Sequence, residues 1–103
     1  MSITFSKEGY LEDASLWTET LAIEIAQQEV ITLTSQHWQI LQALRQFYQQ
    51  YAIMPTMRAF LKYLQLELKL NDIDSAQLYA LFPKGPILQG AKIAGLPKPK
   101  HCI

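Results

Sequence analysis

The strongest helix signal in this sequence is the stretch TSQHWQILQALRQFYQQY, residues 34–51. Its apolar side chains recur at the three- and four-residue spacing of one helix face, while most of its glutamines lie away from that face. Thr34 stands where an N-cap is favoured, so we expect a helix from Ser35 to Tyr51. The apolar stripe of this helix consists of Trp38, Leu41, Leu44, Phe47, Tyr48 and Tyr51. A helix with such a face depends on other elements that cover it.

Upstream of this helix, the sequence predicts a small hairpin and a second helix. Residues 3–5 and 10–11 flank the polar stretch 6–9, a pattern typical of two short strands joined by a turn. Two strands this short need helices to cover them. Asp13 or Ser15 can cap a helix that ends near Gln28.

Three further helices are predicted downstream. They run from Pro55 to about Lys69, from an Asp74 cap to about Phe82, and from about Ile87 to Ala94. Pro55 suits a first helical turn because its φ angle is fixed and it has no N–H to leave unpaired. The sequence therefore predicts a mainly α fold, a helical bundle with a small N-terminal β-hairpin.

Composition limits the class of protein. The 103 residues are 50% apolar and 17% charged, which predicts one compact domain over residues 1–103. The formal net charge of zero argues against nonspecific binding to nucleic acid. One cysteine excludes an internal disulfide, and with two histidines it makes a poor metal-ligand set, so we expect no metal and no cofactor. A charged N-terminus and the lack of a long apolar run predict a cytoplasmic protein without membrane contact.

The C-terminal segment is the unusual part of the chain. After Gly95, residues 96–103 read LPKPKHCI. Pro97 and Pro99 fix their own φ angles and favour extended neighbours, so we expect residues 94–103 to form a semi-rigid, mobile arm with Gly95 as its hinge. At roughly 3.1 Å per residue, such an arm would reach about 22 Å from Gly95 to Cys102. The thiol then lies either far from the core or in a groove of the same domain.

Cys102 is the candidate reactive residue. A thiol one residue from a chain end is poorly placed for packing, which favours a reactive carrier over a structural cysteine. In an extended arm, Lys98 and Lys100 lie on the same side as Cys102 and favour its thiolate, while the terminal carboxylate opposes it. His101 points to the other side. We therefore expect modest activation in the free protein and further activation inside a partner.

Two sequence blocks carry a family resemblance. LYALFPKGP at residues 78–86 and KIAGLPKP at residues 92–99, followed by the penultimate Cys102, resemble the TusE/DsrC family of small sulfur-carrier proteins. The resemblance covers nearly the whole chain. It extends to Gly9-Tyr10-Leu11, Trp17, His37-Trp38, Arg45, Phe47-Tyr48, Pro55 and Arg58.

The resemblance implies a fold and a function. The implied fold is a helical bundle with an N-terminal β-hairpin, a helix-turn-helix-like element and a mobile C-terminal arm. In the family the cysteine equivalent to Cys102 carries a persulfide. Members of the TusE-like branch accept sulfur from the TusBCD complex and pass it to the MnmA thiouridylase, which modifies the wobble uridine of tRNA. The sulfur leaves either as hydrosulfide or by attack of an acceptor cysteine on its outer atom.

Four basic residues are candidates for a supporting role. Lys98 and Lys100 can screen the sulfur anion or bind an acidic partner surface, or they are ordinary solvated charges. Arg45 and Arg58 can line a groove that receives the arm and its carboxylate, or they are ordinary exposed helix charges.

Ala91 separates the branches of the family. DsrC members with a redox role have a second cysteine eleven residues before the last one, and that position is Ala91 in this chain. The difference favours the TusE-like branch over a partner of a sulfite reductase or of a sulfur-oxidation system. A second difference is His101, where many relatives have glycine.

Two alternatives belong to other classes. The predicted helices Ser35–Tyr51 and Pro55–Lys69 could form the helix-turn-helix of a DNA-binding regulator. The second of these helices contains three basic residues, Arg58, Lys62 and Lys69, and the acidic Glu67. Specific DNA binding normally needs more phosphate contacts than these residues can make. The other alternative is a structural adaptor whose arm docks without chemistry.

Overall fold

The computed structural model describes residues 3–99, and within them the chain forms five α-helices. These are α1 (Glu19–Gln28), α2 (Ser35–Tyr51), α3 (Met57–Leu66), α4 (Ser75–Leu81) and α5 (Pro86–Ile93). A turn of 3-10 helix, Ala14–Leu16, precedes α1. The predicted mainly α class is confirmed. None of these helices is both long and apolar enough to cross a membrane.

Helix α5 is the centre of the fold. It contacts α1, α2 and α4, and its side chains at Ile87, Ala91 and Ile93 are buried. Gly90 allows the close approach to α2, because a Cβ atom at this position would lie 2.8 Å from Cδ1 of Leu44. The surrounding core is formed by the buried side chains of Ile40, Leu41, Leu44, Phe60, Leu64, Leu78 and Phe82. The element that leads into the C-terminal segment is therefore fixed on three sides.

Side-chain caps set the beginnings of four helices. Hydroxyl oxygens of Thr18, Thr34 and Thr56 accept hydrogen bonds from first-turn N–H groups of α1, α2 and α3, and Oδ1 of Asp74 does so for α4. The predictions for α2 and for the Asp74 cap are confirmed.

The predicted ends of the third helix are wrong. Pro55 lies outside α3, because Thr56 takes the N-cap position and accepts from the N–H of Ala59 at 3.2 Å. The helix ends at Leu66, and Lys69 has a left-handed φ of 58° that no helix continues through.

The predicted start of the first helix is also wrong. Asp13 caps the 3-10 turn, with its Oδ1 accepting from the N–H of Ser15 at 3.0 Å and from its hydroxyl at 2.6 Å. These hydrogen bonds, the one from the Ser15 hydroxyl first, lower the pKa of Asp13. Trp17 then lies between the 3-10 turn and the Thr18 cap in extended conformation. Its side chain therefore does not continue the face of α1, and its indole N–H donates to the carbonyl of Ile93 in α5.

The expected N-terminal hairpin is reduced to a turn. Among residues 3–99 its strand pairing is one antiparallel bridge between Phe5 and Leu11. The turn itself is held by the N–H of Ser6 donating to the carbonyl of Tyr10 at 2.7 Å and by Gly9, whose φ is 89°. The hydroxyl of Tyr10 donates to the carbonyl of Leu88 at 3.1 Å, which fixes the turn on α5.

Val30 occupies a strained position at the end of α1. The N–H of Val30 donates to the carbonyl of Gln27 at 3.1 Å, and that of Ile31 to the carbonyl of Ala26 at 2.8 Å. This is the Schellman arrangement, whose left-handed residue is normally glycine. Val30 has a φ of 61° and is 91% exposed, so the β-branched side chain is strained there without any compensating burial.

Replacement of Val30 with glycine is expected to stabilise the protein. Removing the strain should raise the free energy of unfolding by about 1 kcal/mol, because a left-handed L-residue costs roughly 1–2 kcal/mol and the added freedom of glycine offsets part of the gain. In thermal denaturation this corresponds to a rise of about 4–8 °C in Tm. Val30→Ala keeps the Cβ atom and should gain less. Equal or lower stability of Val30→Gly would show that the position is not strained.

Candidate functional site

The candidate site is the root of the C-terminal segment. Cys102, the predicted carrier residue, lies outside the described residues, and so do Lys100 and His101. The structure describes the predicted arm from Ala94 to Pro99. Cys102 follows this stretch by three residues, so the contacts of the stretch limit how far the thiol can lie from the body of the protein.

Gly95 packs against an aromatic ring at the end of α5. It has a left-handed conformation, with a φ of 72°, and it is buried. A Cβ atom here would lie 2.4 Å from Cδ1 of Trp17, so only glycine fits. The indole Nε1 of Trp17 donates to the carbonyl of Ile93 at 2.9 Å. The ring therefore closes over the last turn of α5, and the predicted hinge role of Gly95 stays a prediction.

Arg45 ties three elements together at the same place. Its Nη1 donates to the carbonyl of Ala94 at 2.7 Å and its Nη2 to the carbonyl of Ala14 at 3.2 Å. Its guanidinium carbon lies 4.4 Å from the centre of the Trp17 ring, a cation–π contact. Burial lowers the pKa of Arg45, but an arginine in a protein stays charged. The positive charge suits the negative end of the α5 dipole, so Arg45 anchors the root of the segment.

The segment after Gly95 lies on the body of the protein. Leu96 is 1% exposed and Pro99 is buried, while Pro97 and Lys98 are exposed. The N–H of Leu96 donates to the carbonyl of Ala91 at 3.0 Å, which turns the chain back over α5. The described part of the predicted arm is therefore anchored at two apolar residues.

Two clefts flank this segment. One, of about 290 Å³, is lined by Tyr48, Ala52, Ile53, Met54, Pro55, Thr56, Pro97, Lys98 and Pro99. The other, of about 370 Å³, is lined by Ala14, Ser15, Arg45, Tyr48, Gln49, Ala52 and Leu96. Tyr48 and Ala52 belong to both, so the clefts are neighbours along the last turn of α2.

The supporting residues lie at different places. Arg45 lines the second cleft beside Leu96, whereas Arg58 is exposed on the first turn of α3 and belongs to the lining of neither cleft. Nζ of Lys98 forms an ion pair with the carboxylate of Glu8, which joins the segment to the N-terminal turn. The predicted roles of these residues toward sulfur or toward the terminal carboxylate stay predictions.

The block at residues 78–86 has a structural role through His37 and Gln89. Nε2 of His37 lies 2.8 Å from the carbonyl of Leu81, and its Nδ1 lies 3.0 Å from the backbone nitrogen of Thr34, so the ring joins α4 to the start of α2. Gln89 accepts from the N–H of Lys84 at 3.2 Å and donates to Glu29 at 3.1 Å. These contacts fix α5 from its first turn. Within residues 3–99 no group of three or more His, Cys, Asp or Glu side chains is placed to hold a metal ion.

Replacement of Arg45 with lysine is expected to destabilise the protein by about 2 kcal/mol. An ammonium group cannot donate to both Ala94 and Ala14 while it stacks on Trp17, so at least one partly buried carbonyl loses its partner. Urea denaturation measures the change. Arg58→Lys is the matched control, because Arg58 is exposed, and it should be nearly neutral. Equal stabilities of the two variants would contradict the anchoring role of Arg45.

The fold is shared with solved structures of one kind of protein. The NMR structure of DsrC from Allochromatium vinosum superposes with a TM-score of 0.87 and 38% identity over 98% of this chain and 90% of that one. The oxidised gamma-subunit of dissimilatory sulfite reductase (DsrC) from Archaeoglobus fulgidus gives a TM-score of 0.82 and 34% identity, covering 98% of this chain and 92% of its own. The chain therefore has the DsrC fold.

The sequence comparisons agree with the fold. A family model described as DsrC like protein matches residues 1–103, and the chain belongs to this family. A relative from Buchnera aphidicola, named Sulfurtransferase TusE, is 46% identical over 96 residues, which is 93% of this chain and 84% of the relative. The Sulfurtransferase TusE of Escherichia coli K12 is 44% identical over 96 residues, 93% of this chain and 88% of the relative. The family resemblance stated from the sequence is confirmed.

Proposed function

We propose that this chain is a sulfur carrier that accepts persulfide sulfur on Cys102 and hands it to a tRNA thiouridylase for 2-thiolation of the wobble uridine. The observation that carries the proposal is the position of its one cysteine, three residues after Pro99, which is anchored at the surface beside the α2–α3 turn. Similarity to relatives named sulfurtransferase along nearly the whole chain supports the same function.

The transfer to Cys102 is a thiol–disulfide exchange. The Cys102 thiolate attacks the outer sulfur of a donor cysteine persulfide, the S–S bond of the donor breaks, and the donor cysteine leaves as a thiolate. The product is a persulfide on Cys102, and no oxidant or reductant is consumed. In the second exchange a cysteine of the acceptor attacks the outer sulfur, and Cys102 is released as a thiolate.

The proposed partners are those that the resemblance of the sequence to the TusE-like branch implies. A TusBCD-like complex serves as persulfide donor, and an MnmA-like thiouridylase serves as acceptor, with or without its bound tRNA, in the cytoplasm. Ala91 supports this branch over the redox branch, because a chain with one cysteine forms no intramolecular disulfide. In this chain Ala91 lies in α5 and is 0% exposed, so its side chain is part of the hydrophobic core.

Intact-mass measurement tests the proposal directly. We expect the purified protein to gain the mass of one sulfur atom when it is mixed with persulfide-loaded TusBCD complex, and to lose it on addition of dithiothreitol. Fragmentation should place the added sulfur on Cys102. The TusE of Escherichia coli is the positive control. A donor that loads this control and leaves the present chain unmodified would overturn the proposal.

A further inference from the structure

The chain beyond Pro99 is short, and this limits where a partner can bind. Cys102 is three residues after Pro99. A fully extended chain spans at most about 3.6 Å per residue, so the two Cα atoms lie within about 11 Å of each other in any conformation. Pro99 is buried beside Ile53 and Met54, and Leu96 is fixed in the core. While this anchorage holds, a protein that exchanges sulfur with Cys102 must come close to the cleft at Pro99.

The surface at that place is apolar. We call it the exit surface and define it by Tyr48, Ile53, Met54, Pro97 and Pro99, which line the cleft of about 290 Å³. Ile53 is 63% exposed, and it follows a residue, Ala52, whose left-handed φ of 58° ends α2. Tyr48 and Met54 are half-buried in the same lining, and Pro97 is exposed. An apolar patch with an exposed large side chain beside a cleft is typical of protein interaction sites.

On the α3 side, the charges beside the exit surface are positive, whereas the charge of the lining residue Lys98 is paired with Glu8. Arg58 and Lys62 are exposed on successive turns of α3, which begins just after the cleft residue Thr56. Residues 30–66, which include most of the lining of this cleft, contain no aspartate or glutamate. An apolar patch edged by carboxylates would complement this combination.

We propose that the exit surface is the docking surface for the protein with which Cys102 exchanges sulfur, and that this partner presents an apolar patch edged by carboxylates. The inference rests on the proposed function. Docking at this surface brings the partner's cysteine within reach of Cys102 without release of Leu96 or Pro99 from the body. The exit surface then determines which proteins exchange sulfur, while Cys102 supplies the chemistry.

A comparison of two sulfur donors tests the proposal. Persulfide-loaded TusBCD complex needs a docking surface, whereas free cysteine persulfide does not. The loading rate of Cys102 with the complex, divided by its loading rate with cysteine persulfide, therefore measures docking. We expect Ile53→Glu to lower this ratio about tenfold or more, because a charge replaces an exposed apolar anchor at the centre of the contact. Circular dichroism and thermal melting check that the variant is folded.

Val30→Glu is the matched control. It places the same charge at an apolar side chain that is 91% exposed. Val30 adjoins Ile31 and Leu33, which share a cleft with Trp38 near the start of α2, whereas Ile53 lies just beyond its end. The 13 helical steps from Trp38 to Tyr51, the last residue of α2, correspond to about 20 Å, so Val30→Glu should keep the wild-type ratio.

Arg58→Glu tests the charged edge. Its ratio should fall at low ionic strength and recover toward the wild-type value as salt is raised, because exposed charges are screened. A wild-type ratio for Ile53→Glu would overturn the docking proposal and leave the proposed function standing. Failure of the wild-type protein to load from either donor would overturn the proposed function, and the docking proposal with it.

Discussion

Replacement of Cys102 with serine is expected to abolish sulfur transfer by this protein and to leave its fold intact. A serine hydroxyl is not ionised near neutral pH and does not attack a persulfide, so transfer should fall by at least about a hundredfold. The substitution lies three residues after Pro99 and nine after Ile93, the last residue of α5, so it alters none of the helices α1–α5 and the melting temperature should stay at the wild-type value.

The content of 2-thiouridine in tRNA measures this loss in cells. A strain that lacks the gene is complemented with the wild-type protein or with Cys102→Ser at equal protein levels. We expect the serine variant to match the uncomplemented strain. The control Val30→Glu changes an exposed residue in the connection between α1 and α2 and should restore thiolation fully. Normal thiolation with Cys102→Ser would remove the carrier role from this residue.

The sequence predicts the fold best where two local signals agree. For α2 the apolar stripe and the Thr34 cap specify the same helix, and both ends were predicted correctly. For α3 the signals compete, because Pro55 suits a first turn and Thr56 suits an N-cap. The Thr56 cap determines the start of the helix because its hydroxyl accepts a hydrogen bond from the first turn. A proline in the first turn forms no such bond and only avoids an unpaired N–H.

The N-terminal region depends on contacts that no local pattern encodes. Trp17 lies four residues before Leu21 and therefore fits a helical stripe, yet its indole donates to Ile93, 76 residues away. Within the described residues 3–99, the expected strands at residues 3–5 and 10–11 have no further partner strand, and the turn is instead fixed by Tyr10 donating to Leu88. In both cases α5 supplies the contact.

The candidate site was predictable in its chemistry and not in its anchorage. Cys102, Gly95 and the prolines stand out by their positions in the sequence. Arg45 carried a weaker signal, since a charged residue four positions after Leu41 and three before Tyr48 falls on an apolar stripe. Its carbonyl partners at Ala14 and Ala94 follow only from the packing of α2 against α5.

Replacement of Gly95 with alanine is expected to give the largest loss of stability among the variants of this site. The added Cβ would lie 2.4 Å from Cδ1, 2.8 Å from Cγ and 2.9 Å from Cβ of Trp17. The ring cannot move away cheaply, because Ile93 accepts its N–H and Arg45 stacks on it. The clash and the left-handed φ of 72° together should cost about 3 kcal/mol, a large part of the 5–15 kcal/mol that stabilises a typical domain.

Urea and thermal denaturation measure these losses, and a comparison of variants separates the cost of the clash from the cost of the backbone strain. The Tm of Gly95→Ala should fall by more than about 10 °C. Gly9→Ala is the matched control: its φ is 89°, but its Cβ would meet only the flexible Cε of Lys92 at 3.4 Å, so it should lose about 1 kcal/mol. In a Trp17→Ala background the contacts with Cδ1 and Cγ are removed and only the contact with Cβ at 2.9 Å remains, so Gly95→Ala should cost clearly less than it does in the wild-type protein. If Gly95→Ala costs the same with and without Trp17, the ring does not close the root of the C-terminal segment, and its anchorage must come from Arg45 and Leu96 alone.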